Sequence, residues 1–332
     1  MKKIKDTEYL HVSARIRCME KDLLTAEEIG RMAEARTDEE AVKLLTDKGW
    51  AEFDPRDMNE LEESIAAERR KTVSFLSEHC PQPELLEVFR LKYDYHNIKT
   101  LLKADARGVD ANRLLSAAAL IDPRVLAQKI REDDLSDLDE GMAAAITEAR
   151  DLLARTGDPQ LCDILLDRAQ MLQMQQAAAK TGSEFLMGYV QAQIDAGNLK
   201  AAVRMARMGK GLDVFERVIC PGGKVPREAY FEAVTPERIE QMFREAGFGE
   251  AAVAAREALS GEGSFAALDM ACDNALILYT RSARMVPFGE ATLIAYLLAR
   301  EAEFNAVRAV MVGRVSGLAP EKIMERLRIS YV

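Results

Sequence analysis

A six-residue pattern recurs in this chain at nearly constant spacing, and it constrains the fold more than any other feature. In Asp94-Tyr95-His96-Asn97-Ile98-Lys99 an acid is followed three positions later by asparagine, then by an aliphatic residue and a base. Asp195-Ala196-Gly197-Asn198-Leu199-Lys200 repeats all four types 101 residues further on. Glu303-Phe304-Asn305-Ala306-Val307-Arg308, another 108 residues along, keeps acid, aliphatic and base, with Ala306 in the asparagine position and Asn305 one place early. Two near-equal steps imply a triplicated unit.

The first copy lies on a helix, because Val88, Leu91, Tyr95, Ile98 and Leu102 are three and four apart and share one stripe. Asn97 and Asn198 sit within such stripes, where an exposed amide would gain nothing from a fixed place. They are therefore expected to bond backbone or to space neighbouring helices. Other landmarks recur. Asp163-Ile164-Leu165-Leu166-Asp167 resembles Asp269-Met270-Ala271-Cys272-Asp273, and each signature is followed by a proline-marked restart at Pro123, Pro226 and Pro320. The spacing predicts domains at 1–108, 109–211 and 212–332.

Composition supports an all-α chain. Alanine, leucine, methionine, glutamate and arginine are plentiful, aromatic residues make up only 6%, and no stretch alternates as a strand does. Tyr9, Val12, Ile16, Met19 and Leu23 mark a first helix with Arg15, Arg17 and Glu20 turned outward. Thr37-Asp38-Glu39-Glu40 reads as a capping box opening a second, which ends at Lys48-Gly49-Trp50. Helices are further predicted over 57–77, 112–121, 123–131, 141–156, 161–181, 183–209, 235–246, 251–260, 265–284, 290–312 and 320–328. Trp50 at its turn is expected to plug the core beneath a loop, a partner-facing anchor being the alternative.

Several functions are disfavoured. The leading residues Met1 to Asp6 run into charged helix, so no secretory leader is expected, and no apolar run approaches the roughly 20 residues of a bilayer crossing. A net charge of −10 disfavours nucleic acid and a direct hold on anionic lipid. Five scattered cysteines without a C-x-x-C pair fit reduced core thiols. Gly222-Gly223-Lys224-Val225 fails as a phosphate loop, since no glycine leads it at the motif's spacing and Val225 carries no hydroxyl. His11, His79 and His96 show no ligand spacing. The i,i+4 pairs Asp163/Asp167 and Asp269/Asp273 suit a cation or acid–base chemistry in principle, but pairing with a neighbouring helix is the simpler role. No cofactor or metal is expected.

Ala14-Arg15-Ile16-Arg17, the stretch Tyr93 to Lys99, Pro287-Phe288-Gly289-Glu290, Ala295-Tyr296-Leu297, Glu301 to Arg308 and Leu327-Arg328-Ile329-Ser330-Tyr331-Val332 together resemble the C subunits of the archaeal and bacterial V-type (A/V-type) ATPases, relatives of the eukaryotic d subunits. The likeness spans nearly the whole chain, and Ala306 departs from it where that family favours asparagine. The resemblance implies three similar helical domains in a funnel with pseudo-threefold symmetry. It implies a non-catalytic central-stalk subunit, monomeric when isolated, at the cytoplasmic face of the membrane, with the central axle subunits and the membrane proteolipid ring as partners. Torque passing through it would couple ATP hydrolysis or synthesis to proton or sodium transport. The alternative is a cytosolic helical-repeat adaptor that binds a partner helix or peptide. The repeat signature to be located is Asp94, Asn97, Lys99, Asp195, Asn198, Lys200, Glu303 and Arg308.

Overall fold

The computed structural model describes residues 5–209, 216–231 and 235–332, and every regular element among them is helical. The helices are α1 (Leu10–Met19), α2 (Ala26–Glu34), α3 (Asp38–Thr46), α4 (Met58–His79), α5 (Glu84–Arg107), α6 (Pro123–Glu132) and α7 (Glu140–Thr156). They continue as α8 (Pro159–Thr181), α9 (Glu184–Arg207), α10 (Pro236–Glu245), α11 (Gly249–Ser260), α12 (Phe265–Arg281), α13 (Glu290–Val315) and α14 (Pro320–Met324). Short oxygen-bearing side chains open most of them. Asp57, Asp122, Asp139, Asp158, Ser183, Thr235 and Ser264 each accept a first-turn N–H, and proline follows directly at 123, 159 and 236. Gly157, at φ 63°, ends α7 in the left-handed conformation that lets α8 turn back along it.

Five local expectations change. Residues 26–34, where no helix is expected, form α2. Residues 112–121 are not a helix: a single 3-10 turn, Asn112–Leu114, gives way to open chain. Thr37 caps α3 but forms no complete capping box, because the Glu40 carboxylate turns to the Arg36 N–H; the complete box is Thr25 with Glu28. Arg17 does not face outward but donates to the carbonyls of Ala283 and Val286 at 2.8 and 2.6 Å, and the chain there leaves α12 for a 3-10 turn, Ser282–Met285. Of the five free cysteines, Cys18 is exposed and the other four are buried.

The chain forms two compact units. One is Pro83–Gly263, whose core joins Tyr95, Ile98 and Leu102 of α5 to Leu126, Ile146 and Leu166 of α6, α7 and α8; α9 packs on α8 and α11. The other is the described part of Ile4–Gln82 together with Ser264–Val332. Here α13 is central, with α1 to α4 and α14 around it and a core that includes Met32, Leu45, Trp50, Ile65, Phe304 and Val310. Trp50 is buried and meets Phe304 edge-on at 5.9 Å, as a core plug does. Residues 1–108, expected as one domain, are thus shared between the two units. The expected limit at 211/212 lies outside the described residues, as does most of the stretch Met1 to Asp6.

Candidate functional site

The signature acid and asparagine are the working residues of a clamp on backbone. Asn97 is fully buried on α5, and its amide pairs with both polar groups of one residue: Nδ2 donates to the Ser116 carbonyl at 3.0 Å and Oδ1 accepts the Ser116 N–H at 2.7 Å. One turn earlier, Asp94 accepts the N–H groups of Leu120 and Ile121 at 3.2 and 2.9 Å. Four hydrogen bonds therefore hold residues 116–121 as an open strap beside α5, and Arg90 adds donors to the carbonyls of Ala118 and Ala119. Burial pushes the Asp94 carboxyl above its ordinary value, against the pull of the two amides and Arg90.

The second copy repeats the geometry. Asn198 donates to the Cys220 carbonyl at 2.8 Å and accepts its N–H at 2.9 Å, while Asp195 accepts from Lys224 and Val225 at 2.8 and 3.2 Å. In both copies the acid holds the residues four and five beyond the one held by asparagine. Burial raises the Asp195 carboxyl likewise. The glycines that fail as a phosphate loop serve this approach: a Cβ on Gly223 would fall inside contact distance of the Asp195 carboxylate, and one on Gly222 would strike the Gln175 amide. Asn97→Ala should cost on the order of 1–3 kcal/mol, because it strands the buried N–H and C=O of Ser116. The denaturant midpoint is the measurement, and a value equal to wild type would remove the amide's role.

The third copy is built differently. Glu303 accepts the Leu24 N–H at 2.8 Å, so the strap it holds comes from the chain ahead of α2. Ala306 supplies no amide, and the displaced Asn305 is exposed. What this copy has instead is Arg300, which donates to Glu303 at 2.5 Å and to Glu68 of α4 at 2.9 Å, with all three side chains buried. Burial raises the Glu303 carboxyl more than Arg300 lowers it.

The bases face helices rather than straps. Lys99 pairs with Asp167, and Lys103 with Asp163 at 2.9 Å, joining α5 to α8; Arg308 pairs with Glu62 at 2.5 and 2.6 Å, joining α13 to α4. Lys200, partly buried on α9, has a partner of its own. The Asp163/Asp167 pair is thereby committed to two lysines, and Asp273 of the other pair binds Arg328 at 2.8 Å. Among the described residues no group of three or more histidine, cysteine or acidic side chains is placed to hold a metal ion. Nor is any helix among them long and apolar enough to cross a membrane. Sequence reasoning missed Arg300, Glu68 and the strap at Leu24. An arginine one turn before a buried acid, following the apolar run 291–299, was the available signal; Glu68, in a helix rich in charge, offered none.

Two blocks remote in sequence also meet at α1. Ser13 Oγ accepts the Gly289 N–H at 3.2 Å, and Arg17 holds the carbonyls ahead of Pro287, so the stretch 13–17 fixes the turn into α13. Residues 12–326 match the family described as ATP synthase (C/AC39) subunit. The chain is similar to the C subunit of the V-type sodium ATPase of Enterococcus hirae, at 23% identity over 82% of this chain and 83% of that protein. It is similar also to the C subunits of two A-type ATP synthases: that of Haloferax volcanii, 27% identical over 74% of each chain, and that of Pyrococcus horikoshii, 25% identical over 97% of this chain and 90% of that one. With the match running from α1 to beyond α14 and taking in all three clamps, the chain belongs to the ATP synthase (C/AC39) subunit family.

Proposed function

We propose that this chain is a non-catalytic central-stalk subunit of a V-type or A-type rotary ATPase, seated between the central axle and the membrane proteolipid ring at the cytoplasmic face and passing torque from one to the other. The family match over residues 12–326 is the observation that carries this reading. Its relatives are named as subunits of a sodium ATPase and of ATP synthases, machines in which hydrolysis or synthesis is coupled to ion movement.

The fold suits such a part. A torque link needs stiffness and contact area rather than a reacting group, and helices whose connecting straps are pinned by buried carboxylates and amides resist shear better than free loops. We read the chain as three similar helical repeats, at 1–108, 109–211 and 212–332, each carrying one signature helix. A ring contact of about 1,000 Å² or more would hold without one dominant pair. The excess of acidic side chains makes a basic rim on the axle or ring a salt-sensitive aid to assembly.

Reconstitution tests the assignment. The isolated chain should not turn over ATP, should leave detergent-solubilised membranes together with ATPase subunits, and its omission should abolish ATP-driven ion transport by the assembled complex. Undiminished transport without it, or ATP hydrolysis by the purified chain, would overturn the proposal.

A further inference from the structure

The third strap has lost the asparagine that grips the first two, yet both of its ends are held. At the Leu24 end, Glu303 takes the N–H and Ser330 Oγ donates to the carbonyl at 3.1 Å. At the Glu20 end, Tyr331 Oη donates to the Glu20 carboxylate at 3.0 Å, and Arg17 adds two bonds at 2.9 and 2.7 Å. The Tyr331 side chain is buried at 3% exposure, so this is a seated residue rather than a surface contact. Glu20 and Leu24 are four apart, the same separation that divides Ser116 from Leu120 and Cys220 from Lys224. The segment 330–331 therefore touches the third strap at the two residues that match those gripped by asparagine and acid, at Leu24 through the backbone carbonyl and at Glu20 through the carboxylate.

That segment is in turn fastened to α12 and the turn after it. Asn274 accepts the Ile329 N–H at 3.0 Å, Arg281 donates to the Ser330 carbonyl, and Arg284 donates to the Tyr331 carbonyl at 3.3 Å. Arg328, just before it, is paired with Asp273. Most of these fastenings are side chains on backbone groups, with Arg284 and Arg328 both open to solvent in part.

We propose that residues 329–332 are a latch: they replace the missing asparagine clamp of the third repeat, and their release frees the strap at 20–24 and the start of α2 from α13. Strap one is gripped by six side-chain bonds from α5 and strap two by four from α9, whereas the third receives one from α13, its other side-chain bonds coming from Arg17 at Glu20 and from the latch. Local opening of a fold proceeds where the fewest buried contacts must break. With fewer polar bonds from its own signature helix, and with Leu23 and Leu24 buried as its apolar anchors, the third joint is the one whose opening is expected to depend on the latch. The latch stands apart from the rotary assignment, since it concerns only which joint of the chain yields.

Amide hydrogen exchange on the full chain tests it, comparing peptides that cover residues 20–25, 112–122 and 216–226. Removing residues 329–332 should speed exchange at 20–25 by about tenfold or more and leave the other two straps at their wild-type rates. The pair of substitutions Ser330→Ala and Tyr331→Phe, which keeps the chain length and removes only the two hydroxyls, should shift the same peptide in the same direction by a smaller factor. Unchanged exchange at 20–25 in both variants would overturn the latch. So would an equal rise at all three straps in the hydroxyl variant, because that would report global destabilisation.

Discussion

Arg300→Leu should lower the unfolding free energy by about 3–5 kcal/mol, read as a shift of the denaturant midpoint at unchanged slope. The guanidinium sits between Glu303 and Glu68, 2.5 and 2.9 Å away, donates through Nε toward Thr72 Oγ1 at 3.3 Å and lies over the Phe304 ring, 4.8 Å from its centre. Taking the cation away leaves Glu303 buried without a cation while it must still accept the Leu24 N–H, and leaves Glu68 only the solvent-exposed Lys71 ammonium at 2.5 Å. Lysine would not restore it. A single ammonium cannot reach both acids and the hydroxyl with the planar fork that guanidinium offers. The cost arises from stranded charge rather than from the attraction itself, since buried ion pairs gain little over apolar packing. Glu68→Gln and Glu303→Gln, added to an Arg300→Met chain, should therefore recover most of the loss. A midpoint shift for Arg300→Leu worth less than about 1 kcal/mol would mean that water reaches the two acids and that the triad is not a buried one.

Gly223→Ala should cost about 2–4 kcal/mol, combining overpacking with loss of the two amide bonds to Asp195. The new methyl has no room, because the carboxylate it would meet is itself fixed by the N–H groups of Lys224 and Val225. Either the strap lifts or the acid turns away, and both break the clamp. Gly197→Ala, on α9 between Asp195 and Asn198, is the matched control. Nothing lies within 4 Å of its added Cβ, so alanine there should gain about 0.5–1 kcal/mol from helix propensity alone. If both substitutions behave alike, close approach of the strap is not what makes glycine necessary at 223.

The two outcomes bear on how the fold is encoded. Helices were legible wherever a local rule decides them: apolar stripes at three-four spacing on α1 and α5, aspartate or serine ahead of α6 and α9, proline at the first helical positions of α6 and α14. Such signals act within one turn, so the residues that cause the structure are neighbours in sequence. The triplicated signature was legible for a related reason, since within each of the three long helices helical geometry fixes the relative positions of its residues.

Residues 115–121, Leu-Ser-Ala-Ala-Ala-Leu-Ile, show the limit. Their alanines favour helix, yet they lie open, because Asp94 and Asn97 offer buried acceptors and a donor to the backbone groups that an isolated helix would pair internally. The capping residue of α2 was local, but nothing near Leu24 says that its N–H is accepted by Glu303, 279 positions away. The reach of the unit formed by Ile4–Gln82 and Ser264–Val332 was hidden for the same cause. Periodicity reports which face of a helix is buried and is silent on which distant segment covers it. By itself the sequence determined most of the helices, though not α2, together with several of their caps and the three-fold recurrence of an acid on a buried stripe. Only tertiary structure decided what each acid grips, because a clamp between segments far apart in the chain forms when packing has removed water from both.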